Sequence, residues 1–166
     1  MAQTKLGETI VNITGNLPVP GSSAPDLSLT GNDLKDISLK NYAGKNIVLN
    51  IFPSIDTRVC AMSVKEFNKR TASAANTVVL CISKDTPFAF RRFCGAEGID
   101  KVVTLSDFRN KGFFRNYGVE MADGAMAGFF ARAVLVIEPG GKVKYTELVP
   151  VIGQEPDYDS ALKAIA

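Results

Sequence analysis

The run Ile47-Val48-Leu49-Asn50-Ile51-Phe52 stops at Pro53, and no other stretch restricts the fold as strongly. A nearly continuous apolar segment of this length reads as a strand buried on both faces. Proline cannot donate to a sheet ladder, so the strand must end there and the chain must turn. Asp56 and Thr57 are helix N-cap types, and the spacing of Cys60, Val64 and Phe67 beyond them is that of one helical face. With Thr57 as the cap, Cys60 is the third helical residue and faces inward. Unpaired backbone amides and the positive end of the helix dipole favour an anion at that position. A thiolate is such an anion, and it is the nucleophilic form of cysteine.

The rest of the chain alternates strands and helices. The Cys60 helix should run to about Ser73, and the apolar run 77–82 is a second buried strand, completing a βαβ unit. Ser83, Asp85 and Thr86 offer caps before Pro87, which opens a helix ending around Cys94-Gly95. Val102 to Leu105 reads as a third strand, and Asp107 to Tyr117 as a short helix stopped by Gly118. The run 133–137, the turn Pro139-Gly140-Gly141 and the segment 142–146 form the best hairpin signal in the chain. Pro156 and Asp157 open a last helix through Ile165. Near the start, Thr9 to Thr14 followed by Gly15-Asn16 predicts half of an N-terminal β-hairpin, an edge decoration. The pattern describes an α/β fold, a central mixed sheet flanked by helices on both faces.

Composition narrows the chemistry. The 166 residues fit a single domain, 1–166, and with 46% hydrophobic and 22% charged residues the chain has the make-up of a soluble globular protein. Nineteen Lys and Arg against 17 Asp and Glu leave a net charge of +2, too small to argue for nucleic acid or an anionic membrane. No secretory signal or membrane-length apolar run is evident, so the cytoplasm is the expected location. Three cysteines in such a chain point to redox or catalytic use of any that react. Histidine is absent, which excludes Ser-His-Asp and Cys-His pairs and the commonest zinc and non-haem iron ligand sets. A nucleophile here must be activated by a cation, a helix terminus or hydrogen-bond donors.

Pro53, Thr57 and Cys60, spaced Pro-x-x-x-Thr-x-x-Cys after a strand, resemble the active-site signature of the peroxiredoxins. Together with Cys81-Ile82-Ser83, Pro87-Phe88-Ala89 and Arg92-Phe93-Cys94-Gly95-Ala96-Glu97-Gly98, the likeness is to the bacterial thiol peroxidase subfamily, the atypical two-cysteine type. It runs from about Gly7 to the last helix, and it implies a thioredoxin-like fold. On periodicity alone a flavodoxin-like sheet is the alternative, but its phosphate loop would be rich in Gly, Ser and Thr where this chain has Pro53 to Cys60.

The resemblance implies that Cys60 is a peroxidatic thiolate that reduces hydrogen peroxide and organic hydroperoxides, becoming a sulfenic acid. It makes Cys94 the resolving cysteine, which forms an intrachain disulfide with Cys60 that a thioredoxin-type reductant reopens. It also assigns Arg132 to supporting the thiolate and polarising the peroxide, Thr57 to a hydrogen bond with the same oxygens, and Pro53 to shielding the sulfur. No metal or organic cofactor is implied, and a homodimer is. From position alone, Arg132 stands no higher than Arg58, Arg91, Arg92 or Arg109, and Cys60 and Cys94 could each be a buried space-filler. Cys81, mid-strand among Val78, Val79, Leu80 and Ile82, reads as an inert core thiol. Two departures from the subfamily stand out: Arg58 where glycine is common, and Val151 where an acidic residue is usual.

Two other functions compete. A thioredoxin-like disulfide oxidoreductase or thiol-binding module would want Cys-x-x-Cys, whereas Cys60-Ala61-Met62-Ser63 supplies one thiol. A flavodoxin-like or metal-binding carrier would want a phosphate loop or a ligand cluster, and neither is visible.

Overall fold

A computed structural model of the protein describes residues 2–165; the expected domain span also includes Met1 and Ala166, which lie outside the described residues. In chain order the elements are β1 (Gln3–Leu6), β2 (Thr9–Asn12), β3 (Leu29–Thr30), β4 (Asp36–Ile37), a 3-10 helix (Leu39–Tyr42), β5 (Asn46–Ile51), α1 (Arg58–Arg70), β6 (Thr77–Ser83), α2 (Pro87–Glu97), β7 (Val103–Ser106), α3 (Phe113–Tyr117), β8 (Ala133–Ile137), β9 (Val143–Leu148) and α4 (Tyr158–Lys163). Seven strands form one sheet in the order β4-β3-β7-β6-β5-β8-β9, and β1 pairs with β2 as a separate hairpin.

Strands β5, β6 and β7 run parallel; β8 pairs antiparallel with β5 and β9 antiparallel with β8 on one side, while β3 pairs antiparallel with β7 and β4 antiparallel with β3 on the other. Every residue of β5 is buried, as expected for a central strand covered on both faces. Its alternation divides the core. Ile47, Leu49 and Ile51 pack with Phe113 and Tyr117 of α3, while Val48 and Phe52 pack with Val64 and Phe67 of α1, Phe90 of α2 and Tyr158 of α4. One residue step along the strand thus assigns side chains to different cores.

Several expectations are corrected in detail. The N-terminal hairpin turns at Gly7, whose φ is +61°, and not at Gly15-Asn16. It is also more than an edge decoration: Val11 and Ile13 are fully buried in a third apolar cluster with Met121, Ala131 and Ile152. Helix α2 runs past Cys94-Gly95 to Glu97 and ends at Gly98, so Cys94 lies in its last full turn.

Only Phe113–Tyr117 of the expected 107–117 helix is helical. Asn110 and Gly112 sit at φ +54° and +95°, outside the right-handed helical region. The Asp107 amide donates across the sheet to the Ser83 carbonyl at 2.9 Å, and the Phe108 amide to Ser106 Oγ at 3.1 Å. Gly118 does close α3 as expected.

Gly118 has no steric freedom. A Cβ there would lie 2.2 Å from the Asn16 carbonyl oxygen, and its φ of +61° is strained for any other residue. Gly118→Ala should lose about 3 kcal/mol of stability from clash and backbone strain together, read as a fall in the urea midpoint. A loss no larger than that of an exposed surface substitution would refute this account of the α3 terminus.

Asp107 closes β7 with its side chain only 2% exposed. Neither carboxylate oxygen makes a well-formed hydrogen bond among the described residues. Burial pushes its pKa up from 3.8 to about 6, against the pull of Lys84 and the Lys111 amide. The folded chain therefore keeps this proton to higher pH than the unfolded chain does. Stability falls as pH rises from about 4 to about 6 and stays reduced above that range. Asp107→Asn should accordingly gain up to about 3 kcal/mol near pH 7.5 and little at pH 4. Urea titrations at both pH values check this, and an equal change at the two would rule out the charge as the cause.

Candidate active site

The turn after β5 is built from its own residues and held from across the sheet. Thr57 is the backbone cap of α1, with φ −99° and ψ 148°. Its hydroxyl does not cap the helix; it donates to the Ser54 carbonyl at 3.0 Å. Pro53 is buried beneath this turn, whereas Thr57 and Arg58 are exposed. Asp85, at the end of β6, clamps the turn: Ser54 Oγ donates to Oδ1 at 2.9 Å and the Ile55 amide to Oδ2 at 2.7 Å. Ser83 Oγ also donates to Oδ2. The sequence suggested Asp85 only as a cap for α2. Nothing local marked it as the partner of a turn 30 residues earlier in the chain.

Cys60 occupies the third position of α1 and is fully buried, as its spacing predicted. Its carbonyl accepts from Ser63 Oγ at 2.8 Å, and Ser63 Oγ in turn accepts from Asn50 Nδ2 at 3.1 Å. The one polar residue in the apolar run of β5 therefore tethers the first turns of α1 to the sheet. Asn50 Nδ2 also lies 3.7 Å from Cys81 Sγ.

Arg132 reaches the Cys60 sulfur from the β8 side of β5. Strand β8 is antiparallel to β5 with Ile51 opposite Ala133, so Arg132, one residue before Ala133, arrives beside the Phe52-Pro53 turn. Its Nη2 lies 3.4 Å from Cys60 Sγ and its Nε donates to the Ile152 carbonyl at 2.9 Å. The guanidinium is 2% exposed, and Nη1 has no partner. Among the described residues no carboxylate lies within ion-pair distance of it. A buried cation favours an anion beside it, and the side-chain atom that lies against this one is Cys60 Sγ.

A cavity of about 190 Å³ opens beside these residues, lined by Leu6, Pro53, Thr57, Arg58, Val59, Met126, Arg132, Ile152 and Gly153. Leu6 comes from the N-terminal hairpin, in which the sequence signalled no function, and Met126 from residues 125–130, whose Phe and Met content hints at an apolar approach for organic hydroperoxides although such residues are more often core. Cys60 does not line the cavity, but Arg132, which touches its sulfur, does. A larger cavity of about 310 Å³, by Leu39, Tyr42 and Ile137, contains none of the predicted site residues.

Cys94 is half-buried in α2, and all three cysteines are free thiols. Burial pushes the Cys94 thiol up, with a hydrogen bond to Thr104 acting the other way. Cys81 is fully enclosed, as expected of a core thiol, and burial pushes it up to about 12. No group of three or more acidic or cysteine ligands that could hold a metal occurs among the described residues.

Residues 19–162 match the redoxin family. The chain is 54% identical over 165 residues to the thiol peroxidase of Mycobacterium tuberculosis strain ATCC 25618 / H37Rv, covering 99% of each protein. Its fold superposes on a peroxiredoxin-like protein from Aquifex aeolicus with a TM-score of 0.91 at 36% identity, covering 98% of this chain and 95% of that one. A thiol peroxidase from Chromobacterium violaceum shares the fold at TM-score 0.89 and 20% identity, over 97% and 93% of the two chains. The sheet, the strand–turn–helix around a buried cysteine and these likenesses agree: the chain belongs to the redoxin family and, within it, to the thiol peroxidases of the peroxiredoxin group, enzymes that spend thiol electrons on peroxides.

Proposed function

We propose that Cys60 is the peroxidatic sulfur, and that the observation carrying this reading is the buried Arg132 guanidinium, which has the sulfur and no carboxylate as its counter-charge. The thiolate attacks the terminal oxygen of a hydroperoxide. An S–O bond forms, the O–O bond breaks, and the departing oxygen takes a proton to leave as water or alcohol. Arg132 Nη1, buried and unpaired, is a donor free to stabilise the charge that develops on the peroxide oxygens. Thr57 joins it once its hydroxyl turns from the Ser54 carbonyl, and buried Pro53 keeps water from the sulfur.

Resolution follows when the Cys94 thiol attacks the Cys60 sulfenic acid. An S–S bond forms, and the sulfenic oxygen leaves as water with the Cys94 proton. A disulfide needs Cα atoms within about 7 Å of each other, and both cysteines here belong to intact helices. The last turn of α2 unwinds for this step, which also lifts the burial that holds the Cys94 thiol protonated. A thioredoxin-type dithiol then reopens the disulfide and is oxidised in its place. The reading includes a homodimer, with exposed Phe108 and Phe129 as apolar surface available to such a contact, and a cytoplasmic setting. No helix is long and apolar enough to cross a membrane among the described residues.

Reduced protein should consume hydroperoxide without added metal or flavin, and Cys60→Ser should abolish this. Arg132→Lys, which keeps the charge but not the planar fork, should lower kcat/KM about a hundredfold at unchanged circular dichroism. A variant with near-normal turnover would remove Arg132 from the mechanism. After a single equivalent of peroxide, peptide mapping should find residues 60 and 94 joined. A lasting Cys60 sulfenic acid beside a free Cys94 thiol would overturn the resolving step.

A further inference from the structure

Arg58 is the first residue of α1 and is exposed at the mouth of the 190 Å³ cavity. A cation in the first turn faces the positive end of the helix dipole, so the position disfavours it. Nothing offsets this locally. Its side-chain contact is with Met62 Sδ at 3.5 Å, and the neighbouring Asp56 is engaged by Arg92 at 2.9 Å. Among the described residues Arg58 has no carboxylate partner.

The cavity behind it is apolar between two cations. Leu6, Val59, Met126 and Ile152 form its walls, and Arg132, which touches the Cys60 sulfur, stands at its inner end. Counting about 30 Å³ for each water-sized group, the space takes roughly six such groups. That suits a short alkyl segment and leaves any longer chain outside.

We propose that Arg58 is a specificity-determining residue which selects hydroperoxides bearing a carboxylate. The peroxide lies at Arg132 and Cys60, the alkyl segment lies against the apolar walls, and the carboxylate pairs with Arg58 at the mouth. This rests on the reading of Cys60 as the peroxidatic sulfur and adds to it the charge of the substrate. The pair forms at an exposed rim, so its effect is modest and screened by salt.

The test compares kcat/KM for 6-hydroperoxyhexanoic acid with that for its methyl ester, in full-length wild type and Arg58 variants. Wild type should prefer the acid about fivefold at low ionic strength, with the preference shrinking as salt is added. The acid-to-ester ratio should fall to about one in Arg58→Gln, survive in part in Arg58→Lys, and invert in Arg58→Glu. A wild-type ratio of one overturns the proposal, and so does a ratio that Arg58→Gln leaves unchanged while all rates drop together. A rise confined to the KM for a dithiol reductant would place Arg58 on the recycling face and likewise overturn it. Hydrogen peroxide, which carries no carboxylate, separates the two levels: failure of wild type to reduce it and both organic hydroperoxides defeats the peroxidatic reading itself, whereas normal reduction with no acid preference defeats only the role of Arg58.

Discussion

A guanidinium withdrawn from water against a cysteine sulfur is the contact on which this site depends. Burying Arg132 without a carboxylate is costly unless another anion compensates, and in the proposed function the Cys60 thiolate in the first turn of α1 is that anion. The same turn contributes the positive end of a helix dipole, so two independent fields act on Cys60 in the same direction. In a chain without histidine, the proposed mechanism gives this arrangement the task for which many thiol enzymes use an imidazole.

Such a contact is useful only if the turn carrying it stays in place, and the fold devotes buried and half-buried polar groups to that end. Asp85 gathers donors from Ser54, Ile55 and Ser83 on one carboxylate, joining the β5 turn to the end of β6. On the inner side, Asn50 and Ser63 tie the first turns of α1 to the centre of the sheet. Each is a hydrogen-bonded polar group in an apolar setting, so loosening one would leave partners unsatisfied. The rigidity has a counterpart in α2. Cys94 sits a turn from a helix end closed by Gly98, half-buried and linked to the sheet through Thr104. The proposed chemistry therefore pairs a braced helix start with a helix end that can open.

The legible parts of the sequence were those governed by neighbours in the chain. The β5 run, the stop at Pro53, the Thr57 cap and the β8–β9 hairpin were each readable within a dozen residues. Where a segment's amides were claimed from a distance, reading failed. The expected helix from Asp107 lost its first turns to a bond with Ser83 and to positive φ at Asn110 and Gly112. The hairpin that looked peripheral supplies Leu6 to the cavity and Val11 to a core, because Met121 and Ile152 come to meet it from far along the chain.

By itself the sequence determined that a cysteine would open a helix directly after a buried strand, since apolar periodicity, the conformation of proline and cap preference all act over a few residues. Tertiary structure alone decided which arginine meets that cysteine. Arg132 lies 72 residues away, and position in the sequence does not separate it from Arg58, Arg91, Arg92 or Arg109; only the family resemblance had assigned it. The antiparallel register of β5 and β8, fixed by packing on both faces of the sheet, sets its guanidinium beside the sulfur and leaves Arg58 at the rim.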